Sequence, residues 1–290
     1  MTQTSGEAVA TATARIYGAS ELGVLSFTSP GAAHPRVEYV GGDLFVGLDR
    51  PDGTAITQGD VESWSAPFGE IVASVLAAAP ELPATDAGTI VIEDEALAAA
   101  VLVDPRRLPV GEFAGDPVVF ALARDRVVFV GADDHAAIER VLTLADELYE
   151  AAGPLVTGHP LVRADGAWAP LRWRELFPEL GLRFERMLRL FSVRAYDVQS
   201  VALQRPDVHI ADAKIRVLDS GVTTTFAAWP KGTATLLPVV DNVIIADPSG
   251  TLSVATFDQF LDAGGDAIVR TGLSPLRYFV PGDQPSRPTA

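Results

Sequence analysis

Residues 116–149 constrain this chain more tightly than any other stretch. Two β-rich runs, Asp116-Pro-Val-Val-Phe-Ala-Leu122 and Arg126-Val-Val-Phe-Val130, flank a short polar turn and lead directly into a helix. Branched and aromatic residues suit a pleated, packed surface, and so short a connection permits only an antiparallel hairpin. Asp133 or Asp134 then caps a helix over 136–152, whose Ile138, Val141, Leu142, Ala145 and Leu148 fall on one face. Gly153-Pro154 supplies its stop. The segment defines a piece of fold and carries no chemistry.

Composition narrows the function classes. The chain of 290 residues, 48% hydrophobic and 21% charged, has the makings of a sizeable core. Its lack of cysteine removes disulfides, thiolate metal sites and cysteine nucleophiles together. The net charge of −16 is unevenly placed: residues 1–150 carry 24 acids against 8 arginines and no lysine, whereas 151–290 carry 14 of each sign. Such a surface repels phosphate, and the only lysines are Lys214 and Lys231, so nucleic-acid binding is not expected. The first twenty residues have neither a basic start nor an apolar run, and 71–79 ends at Pro80, short of the roughly 18–20 apolar residues a membrane span needs. A soluble, cytoplasmic protein without a membrane partner is the expectation.

Along the chain, residues 1–33 are rich in Thr, Ala, Ser and Gly, with one strand or helix turn around 12–17, and partial mobility is expected there. Residues 37–48 read as a hairpin about Gly41-Gly42-Asp43. Asp60 can cap a helix to about Ala79 that Pro67 divides in two and Pro80 and Pro83 end. Residues 89–92 form a strand, and Asp94 caps a short helix over 95–103. Strands over 155–162 and 168–173 meet at Asp165-Gly166. From about 182 to 203 runs an amphipathic helix, with Phe184, Met187, Leu188, Phe191, Ala195, Val198 and Ala202 within an arc of about 100°. Arg183, Arg186, Arg189 and Arg194 project from its other side. Beyond Pro206, strands over 209–218, 222–229, 236–246 and 251–256 alternate with turn residues, which reads as an antiparallel meander; a short helix over 257–263 and a disordered Pro-rich tail over 281–290 follow.

The run Leu44-Phe-Val-Gly-Leu-Asp49, the Trp64 helix, the hairpin from Gly115 through Val130, the Gly131-Ala-Asp-Asp134 cap and Asp165-Gly-Ala-Trp-Ala-Pro170 together resemble the YtpQ-like family of bacterial proteins. The resemblance covers about residues 44–171. It differs from the family's pattern where Ala123-Arg124-Asp125 stands in the hairpin turn in place of a proline. What it implies is a fold; it brings no catalytic residue to this chain.

Candidate chemistry is sparse. His34, His135, His159 and His209 form no pair at metal-ligand spacing, so no metal and no cofactor is expected. His135 beside Asp133 and Asp134 reads as a helix start, since carboxylates cap free N–H groups. Glu93-Asp94-Glu95 follows a strand, where acid–base or metal-binding carboxylates are often placed, yet it also opens a helix. No serine lies in a nucleophile elbow, and Gly264-Gly265-Asp266 lacks dinucleotide-loop spacing. The arginines at 183, 186, 189 and 194 can make bidentate contacts with carboxylates of this chain or of a neighbour, and Trp229 at a loop edge is a contact candidate.

The expectation is an α+β protein: an N-terminal mixed sheet with helices over 34–174, an amphipathic helix over 175–205 and an antiparallel β-meander over 206–280. Its expected role is non-enzymatic protein binding, assembly or self-association. A hydrolase-type enzyme with a non-local carboxylate/histidine site is the alternative, with its catalytic residues unknown.

Overall fold

The computed structural model describes residues 5–82, 88–109 and 111–282. The expected helix stop at Pro83 and residues 283–290 of the expected disordered tail lie outside them. The chain divides into two compact units, Met1–Met187 and Leu188–Ala290, with the boundary inside the amphipathic helix and not ahead of it. Helices and strands occur in both, so the fold class is α+β.

In the first unit the order is α1 (Ser5–Thr11), β1 (Thr13–Gly18), α2 (Ala19–Thr28), β2 (Val37–Gly41), β3 (Leu44–Asp49), α3 (Gln58–Val61), α4 (Phe68–Ala77), β4 (Ile90–Ile92), α5 (Glu95–Val103), β5 (Pro117–Ala123), β6 (Arg126–Gly131), α6 (His135–Glu150), β7 (Leu161–Ala164), β8 (Ala167–Pro170), α7 (Trp173–Leu176) and the start of α8 (Gly181–Leu203). The strands form two sheets, β1-β3-β2 and β4-β6-β5-β7-β8. Every pairing in them is antiparallel, so the mixed sheet expected here is two antiparallel ones. Short turns impose this on β2–β3, β5–β6 and β7–β8, because parallel neighbours need a crossover of a dozen or more residues.

The β5–β6 hairpin is the centre of this unit. Val119, Ala121, Val127 and Phe129 face a core shared with α4, α5, β1 and β3. Alternation turns Val118, Phe120, Leu122, Val128 and Val130 to the opposite face, toward α6. Phe120 there stacks on Phe184, which also meets Trp173 and Phe177. At the N-terminus, the loosely held segment expected over 1–33 is corrected for 13–28, which are strand and helix: Ile16 and Tyr17 are fully buried, and β1 pairs with β3 along its whole length. Asp60 is not the cap of α3. Thr57 is, with Asp60 returning the bond to the Thr57 N–H in a capping box.

In the second unit α8 continues from Leu188, followed by β9 (His209–Ile210), β10 (Lys214–Val217), β11 (Thr223–Pro230), β12 (Thr235–Pro238), β13 (Asn242–Ala246), β14 (Leu252–Thr256), α9 (Phe257–Gly264), β15 (Val269–Arg270) and β16 (Arg277–Val280). Two four-stranded sheets result, β10-β11-β13-β14 and β15-β16-β12-β9. The expected meander is interrupted because β12 leaves for the other sheet, so β13 returns parallel to β11. The Pro230-to-Asn242 connection is a crossover, although its Lys231-Gly232 looks locally like a hairpin turn.

The buried face of α8 also departs from the apolar arc. Phe184, Met187 and Phe191 are buried as expected, but Val198 is 55% exposed while Gln199 is fully buried. The cause is Arg277 of β16, itself fully buried, with neutral groups as its described hydrogen-bond acceptors. Its guanidinium donates to Gln199 Oε1 at 2.6 Å, Ser200 Oγ at 2.7 Å and the carbonyls of Ala211 and Leu236 at 2.8 and 3.0 Å. Burial lowers the Arg277 pKa to about 10, which leaves it charged at neutral pH. A buried cation demands hydrogen-bond acceptors, and that demand turns the polar side of the helix inward.

Candidate functional site

The arginine row engages carboxylates of its own chain. Within the first unit Arg183 donates to Glu139 Oε1 at 2.8 Å and Thr143 Oγ1 at 2.7 Å, and Arg186 to Asp146 Oδ1 at 3.0 Å. The three acceptors recur along α6 at helical spacing. Within the second unit Arg189 makes a two-point contact with Asp241, at 3.0 and 3.3 Å. Arg194 lies by Asp197, whose carboxyl burial pushes up while Lys214 and Arg194 pull it down. Trp229, the contact candidate at a loop edge, is packed inside instead: it is 3% exposed, meets Phe260 edge-to-face and donates Nε1–H to Thr233 O. Its position on the inward row of β11 explains this.

The acidic run after β4 is divided among three tasks. Asp94 caps α5 by accepting from Leu97 N at 2.7 Å, and Glu93 pairs with Arg126 at 3.0 Å. Glu95 accepts from Ile16 N at 2.8 Å. It thereby joins a half-buried charged cluster that the sequence does not display. Arg15 bridges Asp49 at 3.0 Å and Glu21 at 2.8 Å, Arg124 reaches Glu21 at 2.6 Å and Glu95 at 3.8 Å, and the Tyr17 hydroxyl lies 3.4 Å from Asp49. Burial pushes the Glu95 carboxyl and the Tyr17 phenol above their ordinary values. Burial works against the Arg15 charge, but Tyr17, Asp49 and Glu21 together outweigh it and raise its pKa. The members come from β1, α2, the end of β3, the start of α5 and the β5–β6 turn, so only tertiary pairing unites them. Two guanidinia among three carboxylates form an ion-pair network that ties both sheets of this unit together.

The histidines lie elsewhere. His135 Nδ1 meets Glu179 Oε1 at 2.7 Å at the surface, while Asp134 caps α6 through Ala137 N at 2.9 Å. His159 lies 3.9 Å from Asp43, and His34 is within hydrogen-bond distance of the carbonyls of Pro35 and Leu22. Among the described residues no three His, Cys, Asp or Glu side chains are grouped to hold a metal ion, and no helix is long and apolar enough to cross a membrane.

What stands out at the surface is the sheet β10-β11-β13-β14. On its inner face Ala227, Val243, Ala255, Trp229 and Ile245 contribute to the core of the second unit, while Ser253 at the end strand is exposed. Two of its outer rows, Ala228–Ile244–Val254 and Pro230–Ala246–Leu252, are apolar, and the polar residues Lys214, Arg216, Asn242 and Thr256 lie toward the other end of the same face. Leu252 and Val254 are each 67% exposed. They lie on β14, an end strand, and the sheet ends of this molecule are otherwise guarded by features that discourage further pairing. β9 and β15 have two residues each and β4 three. β8 closes on Pro170, β1 carries Arg15, β10 carries Lys214 and Arg216, and β2 has Glu38 and a register shift. β14, with the sequence Leu-Ser-Val-Ala-Thr, has five residues, no charge, no proline and an unbroken register. Sequence reading finds this strand but not its end position, which depends on the unforeseen crossover.

No family model matches this sequence, and no curated protein and no solved structure matches it significantly.

Proposed function

We propose that this is a non-enzymatic binding or assembly protein that acts in the cytoplasm by protein–protein contact, through the outer face and free edge of the sheet β10-β11-β13-β14. The observation that carries this reading is the uncharged end strand β14 with Leu252 and Val254 exposed. Apolar rows beside unpaired backbone groups suit strand addition, in which main-chain hydrogen bonds give affinity and alternate side chains give specificity. Engagement of Arg183, Arg186 and Arg189 within the chain leaves apolar and backbone contact as the main source of binding energy. The net charge of −16 favours a protein partner over nucleic acid.

The experiment is recovery of stoichiometric partners, other chains or further copies of this one, by wild type and by Leu252→Ser/Val254→Ser. The substitutions change two exposed side chains, so the far-UV spectrum is expected to stay unchanged while recovery falls. Equal recovery by the folded variant contradicts the proposal. A hydrolase-type site of carboxylate and histidine is the alternative. The raised pKa of Glu95 favours it, and the lack of a histidine among the hydrogen-bond and ion-pair partners described for that cluster weighs against it. The resemblance of residues 44–171 to YtpQ-like proteins is likewise proposed as kinship of fold, supported by the hairpin β5–β6 and the Asp134 cap.

A further inference from the structure

We propose that the occupant of the β14 edge is β14 of a second copy of this chain, paired antiparallel about a two-fold axis at Ser253. This rests on the contact surface assigned above and names its partner. In an antiparallel ladder alternate residues turn both backbone groups toward one neighbour. Asp247 N donates to Thr251 O at 2.9 Å and Phe257 N to Asp241 O at 3.1 Å, so residues 251, 253, 255 and 257 of this strand face β13. The N–H and C=O groups of Leu252, Val254 and Thr256 therefore face outward. Thr256 N is already bonded to Gln259 Oε1 at 3.1 Å in the capping box of α9. Only Leu252 and Val254 keep outward N–H groups for a new strand.

That restriction selects a register. With the axis at Ser253, Leu252 of each copy faces Val254 of the other, and each pair exchanges two backbone hydrogen bonds without disturbing the capping box. A register centred on Val254 sets Leu252 against Thr256, whose N–H is occupied. The pairing is isologous, with the same patch on both copies, as closed two-fold symmetry requires. It extends the outer rows Ala228–Ile244–Val254 and Pro230–Ala246–Leu252 across the axis as one apolar patch.

Charge permits this contact where it opposes others. Residues 188–290 carry 10 acids and 9 bases, so almost all of the net −16 belongs to the first unit, and β14 itself carries none. No like charges meet within the paired strands. A strand of this length spans about 17 Å, and strand pairing alone buries less than the roughly 1,000 Å² of a stable interface. The dimer should therefore form at micromolar concentrations and dissociate on dilution.

The experiment combines sedimentation with cross-linking of the full chain, whose lack of cysteine makes an introduced thiol unique. Wild type should rise from the mass of one chain to that of two across the micromolar range, and Val254→Lys should weaken this association by roughly tenfold or more. In the proposed register the two Ser253 residues form a non-hydrogen-bonded pair, close enough for a disulfide. Ser253→Cys should thus oxidise to a covalent dimer, whereas Ser249→Cys, on the exposed turn before β14, should not. Equal cross-linking at both positions overturns the register, and wild type remaining a single chain up to about 100 μM overturns the self-pairing. If such a single-chain wild type still recovers another protein and Val254→Lys loses it, the binding role stands and the second copy is the wrong occupant.

Discussion

Asp241 illustrates how one buried-edge carboxylate can organise a connection between strands. It accepts from Arg189 Nε at 3.0 Å, Thr225 N at 2.7 Å and Thr225 Oγ1 at 2.9 Å, while its own N–H donates to Thr225 Oγ1 at 2.9 Å. Burial alone would raise its pKa, but Arg189 and the Thr225 donors outweigh that and hold it below the ordinary 3.8. A depressed carboxyl stabilises the fold above its unfolded value and loses that contribution as pH falls through the folded one. Asp241→Asn should therefore cost about 1–2 kcal/mol at pH 6, the figure being reduced because solvent screens a partly exposed pair. The difference from wild type should shrink as the pH is lowered beneath 3.8, and denaturant melts at both pH values measure it. A difference that is constant with pH would assign the effect to shape instead of charge. Arg277 is the opposite case, a cation satisfied by neutral acceptors, and nothing in its local sequence marks it as buried.

At the scale of elements, sequence reading succeeds where a single pattern decides and fails where a distant partner does. The β5–β6 hairpin, the Asp94 and Asp134 caps and the extent of α8 all follow from local alternation and capping chemistry. The inward side of α8 past Phe191 does not, because Gln199 and Ser200 are drawn in by an arginine nearly 80 positions away. The Arg15–Glu95–Arg124 cluster was invisible for the same reason. The arginine row was legible as a row but not as to its partners, which are carboxylates of α6 and Asp241. From those partners a specific result follows. Arg186→Glu and Arg189→Glu each replace an attraction with a like-charge contact, and each should destabilise its own unit by about 1 kcal/mol, more at low salt than at high. Calorimetry at two ionic strengths measures this, and the sedimentation behaviour of both variants should match wild type. Unchanged stability with reduced association would return the arginines to the contact surface.

At the scale of the whole molecule, charge and apolar exposure are segregated. The first unit carries nearly all the net charge and pairs half-buried arginines such as Arg15 and Arg124 with its own carboxylates, whereas the near-neutral second unit exposes apolar rows at an unguarded edge. Net charge keeps a chain dispersed through general repulsion, and a localised uncharged edge then confines association to one geometry. Amide hydrogen exchange at Leu252 and Val254 as a function of protein concentration tests this most directly. Ser253 and Ala255, bonded to β13, should be protected at every concentration, while Leu252 and Val254 should exchange freely when dilute and gain protection of at least tenfold as the concentration rises through the micromolar range. Leu252 and Val254 amides that stay unprotected at the highest concentration, or that are already protected at the lowest, would contradict a free edge that pairs with a second copy.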